Sequence, residues 1–133
     1  MAAETQFSFL DGAREFSRWF GNDAPYFHDA EVESLTLTHR GESLLSIRTF
    51  RMTPEVDAAG YFVLEKHCLL TFILQDVFEI DLDAFDEGAT LMGLTVLRHE
   101  QGMTLALDPV IGVGGRISAR DCRVEYRPRE ANA

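Results

Sequence analysis

His28 and Asp29 are the adjacent pair in this chain best equipped for chemistry. An imidazole beside a carboxylate can serve as a general base with its orienting group, or as two metal ligands. Trp19, Phe27, Ala30, Glu31 and Val32 surround the pair in sequence. The same residues also have a structural use. An Asp at the point where a loop enters a strand caps nearby N–H groups, and an imidazole can brace the turn through its two ring nitrogens. Neighbouring residues of a strand point to opposite faces, which favours the structural use. His39, His67 and His99 stand at no metal-ligand spacing such as H-x-x-x-H. No metal and no cofactor is therefore expected.

Other catalytic patterns fail on inspection. There is no G-x-S-x-G elbow to present a serine. Gly112, Gly114 and Gly115 suggest a phosphate loop, but no G-K-[ST] follows them and no helix is expected after them. The run DVFEIDLDAFDEG invites a calcium reading. With Asp81 at position one, Phe85 takes position five and position six lacks its glycine, so the EF-hand pattern fails. Cys68 and Cys122 lie in apolar, strand-like runs, where a thiol is held protonated rather than activated. They read as buried free thiols of a reducing compartment. The chain does not read as an enzyme.

The acidic run has a better use. Glu79, Asp81 and Asp83 alternate with Phe78, Ile80 and Leu82, so a strand would carry the carboxylates on one face. Asp76, Asp86 and Glu87 stand at the ends of that stripe. Either it is a solvated strand face or it docks a basic partner. The basic counterpart, Arg116, Arg120, Arg123, Arg127 and Arg129, is interleaved with Asp121 and Glu125. The whole chain carries a net charge of −10, which opposes nucleic-acid binding and attracts basic proteins.

These residues need elements to hold them. Phe9, Ala13, Phe16 and Phe20 recur at helical spacing and predict a helix over about 9–20, with Ser8 or Asp11 as cap and Gly21-Asn22 as stop. From residue 31 the period becomes two. Leu35, Leu37 and His39 share one face, and Gly41-Glu42 turns the chain into LLSIRTF. MTPEVDAAG reads as a long loop around Pro54. YFVL, HCLLTFIL and FEIDLD are strand-like, and LMGLTVLRH with MTLALDP forms a second hairpin about Glu100-Gln101-Gly102. VIGVGG reads as a flexible loop. A change of parity in the last strand predicts a bulge near Arg120-Asp121. The fold class is mainly β with an N-terminal helix (α+β), an antiparallel bent sheet or sandwich of about six strands, with the helix covering one face, end or open edge. One domain is expected over 1–133, β-rich over about 31–128, with a frayed tail at 129–133. No signal-peptide pattern is seen, and no apolar run approaches the ~20 residues that cross a bilayer, so the expected location is the cytoplasm and no membrane is expected as a partner.

The segment from Trp19 through FHDAEV into the strand resembles the opening of a bacterial immunity-protein family, the one numbered fifty, whose members are antidotes encoded beside polymorphic toxins. Trp19, Phe27, His28, Asp29, Ala30, Glu31 and Val32 carry the resemblance. It implies an intracellular protein that binds and blocks a cognate toxin. The best candidate interface is Glu79, Asp81, Asp83, Asp86 and Glu87. Two alternatives stand beside it: a small-molecule or metal-binding domain or enzyme with a site near His28 and Asp29, and a homo-oligomeric structural module.

Overall fold

The computed structural model describes residues 7–21 and 27–129. Along the chain these form α1 (Ala13–Phe20), β1 (Glu31–Thr36), β2 (Glu42–Val56), β3 (Phe62–Asp83), a 3-10 turn (Phe85–Glu87), β4 (Ala89–His99), β5 (Gly102–Gly112) and β6 (Gly114–Pro128). The expected antiparallel sheet is present, and it bends far enough to close. The strands make a barrel in the order β1-β2-β3-β6-β5-β4. Closure is narrow. It rests on the pair Glu31↔Thr90, with Asp29 N–H donating to the Leu91 carbonyl at 2.9 Å and Leu91 N–H donating to the Ala30 carbonyl at 2.8 Å.

β6 pairs with β5 only over Gly115–Ala119, so its later residues have an edge without a strand beside it. The N-terminal segment covers that edge. The Asp11 carbonyl accepts the Val124 N–H at 2.8 Å, and the Arg98 guanidinium of β4 lies over the Phe9 ring. Gly12 makes the approach possible. Its φ is 90°, and a Cβ there would meet the Val124 carbonyl oxygen at 2.0 Å. This explains why α1 begins at Ala13 and not near residue 9: Gly12 stands at the N-cap without a side-chain bond, displacing the expected Ser8 or Asp11. Ala13, Phe16 and Phe20 then face the core, and Gly21 ends the helix with φ 117°.

The interior holds Leu45, Ile47, Leu70, Phe72, Leu74, Leu91, Leu105 and Ile117, each at most 1% exposed. Phe7 and Phe27 pack edge-on or tilted against Phe72. A core of this kind supplies most of the folding free energy.

Several loop readings are corrected. β2 runs straight through Pro54 to Val56, and the real turn is Asp57–Gly60, where Asp57 Oδ1 accepts N–H groups from Ala59 and Tyr61. Proline is tolerated because β1 no longer accompanies β2 there and the β2–β3 register shifts between Met52 and Val56. VIGVGG is strand end and tight crossing, not a flexible loop. Gly112 passes Gly88 so closely that a Cβ would meet its carbonyl oxygen at 1.9 Å. β1 stops at Thr36, leaving Leu37 and His39 exposed outside it. In β6 the burial parity does change at Arg120-Asp121, but the register shift lies on β3, between Val77 and Glu79. Arg129, expected to fray, donates its N–H to the His67 carbonyl and its guanidinium to Glu33. The expected stop at Asn22 and the tail beyond Arg129 lie outside the described residues.

Candidate protein-docking surface

The last third of β3 is built by alternation. Glu79 is opposite Ser118, Asp81 opposite Arg116 and Asp83 opposite Gly114 on β6, while Ile80 is opposite the fully buried Ile117. Cross-strand partners share a face, so Glu79, Asp81 and Asp83 line the outer face and Ile80 turns toward the core side. Phe78 is the extra residue at the register shift and lies under the Arg120 guanidinium, 4.3 Å from its centroid. Ala84, with φ 59°, turns the chain into Phe85–Glu87, which carries Asp86 and Glu87. The predicted stripe therefore exists as one exposed acidic strip running off the end of β3.

Its distinguishing property is the gathering of five carboxylates, with Arg116 across from Asp81 on β6. Four carboxylates elsewhere are paired with arginines: Glu31 with Arg48, Glu33 with Arg129, Glu42 with Arg123 and Glu65 with Arg51. The Glu42 hydrogen bond raises the Arg123 pKa. Among the described residues, Asp81, Asp83, Asp86 and Glu87 enter no ion pair. Glu79 accepts only a long bond of 3.4 Å from the Ser118 hydroxyl.

That bond ends a polar chain that sequence reasoning missed. His99 Nε2 is 2.9 Å from Thr104 Oγ1, which is 2.8 Å from Ser118 Oγ. The chain crosses β4, β5, β6 and β3 in turn. Its only sequence signal is a hydroxyl at Thr104 and at Ser118, each between apolar neighbours.

The residues of the Trp19–Glu31 group are distributed, not assembled. Phe27 is buried against Phe7 and Phe72. Its φ of 61° and the 66° of Asp29 form a tight turn in which the Phe27 carbonyl accepts the Ala30 N–H. Trp19 stacks on Tyr126 at 5.1 Å with Lys66 Nζ over its ring. Glu31 binds Arg48. His28 Nδ1 lies 3.3 Å from Asp29 Oδ2, with both side chains more than half exposed. Among the described residues no group of three or more His, Cys, Asp and Glu side chains is placed to hold a metal. The turn does the work of closing the barrel, because Asp29 and Ala30 supply the backbone bonds to Leu91.

A depression lined by Leu69, Thr71, Glu125, Tyr126 and Arg127 has a volume of about 130 Å³, well below the several hundred that a cofactor-sized ligand fills. Cys68 and Cys122 are buried and unbridged, and burial pushes each thiol up to about 12. Among the described residues no helix is long and apolar enough to cross a membrane. Comparison with protein-family models, curated proteins and solved structures finds no match to this chain.

Proposed function

We propose that this chain is a non-catalytic, protein-binding domain of the immunity type, which binds and blocks a basic toxin domain in the cytoplasm. The observation that supports this most is the row of exposed carboxylates Asp81, Asp83, Asp86 and Glu87, gathered at one end of the barrel without ion-pair partners among the described residues. Uncompensated charge of one sign costs stability through self-repulsion and speeds encounter with a partner of opposite sign. A toxin that acts on phosphates carries a basic surface, and occlusion of that surface is sufficient inhibition. The resemblance of the Trp19–Val32 segment to the immunity family points the same way.

The test is calorimetric titration at low and raised salt against basic toxin domains, beginning with any found in reading frames adjacent to this gene. The expected result is tight binding that weakens steeply with salt. Joint replacement Glu79→Lys, Asp81→Lys and Asp83→Lys should weaken it by at least about tenfold. Unchanged affinity and salt slope in that variant would remove this surface from the interface.

A further inference from the structure

The acidic strip lies on a strand that lacks a neighbour. β2 ends its pairing with β3 at Glu42↔Gln75. A clasp follows, in which Asp76 N–H donates to the Gly41 carbonyl and Gly41 N–H to Asp76 Oδ1, both at 2.9 Å. Beyond it, Val77–Asp83 pairs with β6 alone. In an antiparallel strand the N–H and C=O groups of alternate residues point to each side. Half of those in this stretch therefore face an edge that no described strand occupies.

A second observation says that something belongs there. Ile80 turns to the core side, opposite the fully buried Ile117, yet it is 46% exposed. It stays exposed because no described strand takes the place beside it that β2 holds over the preceding residues. Phe85, 46% exposed, continues the apolar surface at the strand's end.

We infer that Val77–Asp83 accepts an extended segment of the basic partner as an added β-strand, a mode that rests on the acidic-surface reading above. The alternation specifies the segment's chemistry. Lys or Arg at every second position would lie against Glu79, Asp81 and Asp83, and apolar residues between them would cover Ile80 and Leu82. A second copy of this chain does not fit, since its own edge would bring carboxylates against carboxylates. The acidic side chains thus guard the edge against self-pairing while admitting a basic strand.

The experiment uses the intact protein and a seven-residue peptide alternating lysine and valine, blocked at both ends. Two control peptides carry N-methyl groups on odd or on even backbone amides, which removes strand pairing and keeps the charge. Binding is read by fluorescence anisotropy, and backbone protection by hydrogen exchange. Saturable binding is expected, with at least one methylated peptide weaker by about tenfold or more and slowed exchange confined to residues 77–83. Equal binding of all three peptides, lost on reversal of Glu79, Asp81 and Asp83, would overturn strand addition and leave the acidic surface standing. Absence of peptide binding would also overturn it. If charge reversal in addition left toxin affinity unchanged, the acidic-surface reading would fall as well.

Discussion

At its start β3 runs from Phe62 to His67 with β2 as its only strand partner; at its end it runs from Val77 to Asp83 with β6 as its only partner. Between them, Cys68–Gln75 has strands on both sides and holds Leu70, Phe72 and Leu74 at 0% exposure. The two half-partnered ends expose different chemistry. The β2–β3 arm places apolar Met52, Val56, Phe62 and Leu64 in solvent, and its cations are engaged: Arg51 binds Glu65, and Lys66 lies over Trp19. Pro54 blunts the β2 edge of this arm. The far end has no proline, and its carboxylates take the protective role. One strand of 22 residues, about 70 Å if straight, thus carries an apolar hairpin at one end, a core in the middle and an acidic edge at the other.

The contrast between middle and ends has a large expected effect. Phe72→Ala should destabilise the protein by about 3–5 kcal/mol, because it empties a fully enclosed site, whereas Phe62→Ala should cost less than about 1 kcal/mol. Urea denaturation decides. Equal losses would mean that the arm is not peripheral.

The acidic end can be loosened from behind. Gly115, opposite Leu82, has φ 129°, and a Cβ there would meet the Asp81 carbonyl oxygen at 1.9 Å. Gly115→Ala should cost on the order of 2 kcal/mol, with faster hydrogen exchange concentrated in residues 77–83. Uniformly faster exchange would show that this end does not open by itself.

Charge reversal at Glu79, Asp81 and Asp83 should change stability by less than about 1 kcal/mol, since the side chains are solvated. The double variant Phe62→Ser with Leu64→Ser should leave toxin affinity within about twofold. A larger loss from the arm variant would move the interface to the other end of β3.

The smallest effect concerns the thiols. Cys68 and Cys122 stay protonated in the fold up to about 12, against an ordinary value of 9.0. Each raised thiol pKa contributes stability that is complete below pH about 9 and is lost as pH rises toward about 12, because the unfolded thiols ionise first. Chemical denaturation across that range checks the sign. At pH 8 both thiols should react with a disulfide reagent no faster than the protein opens.

Much of the fold was legible because alternation and helical spacing are local. Ala13, Phe16 and Phe20 announced the helix, and both hairpin turns at Gly41 and Gly102 were marked by glycine. The misreadings came where a distant backbone decided the local conformation. Pro54 signals a loop only if both strand edges are occupied. Gly112 signals flexibility only if no chain crosses it, and here Gly88 does. Ser8 and Asp11 read as caps until the Asp11 carbonyl is drawn to Val124.

For the candidate site, period-two alternation by itself placed Glu79, Asp81 and Asp83 on one strand face, since side-chain direction in a strand follows from backbone geometry alone. Composition likewise established the acidic balance. Strand order and the extent of pairing were decided only in the tertiary structure. They set β6 beside β3, linked His99 to Glu79 through hydroxyls of two intervening strands, and ended the β2–β3 pairing at Glu42 so that the acidic stretch became an edge. Those outcomes depend on where the barrel closes, which is a property of the whole packed core and not of any one segment.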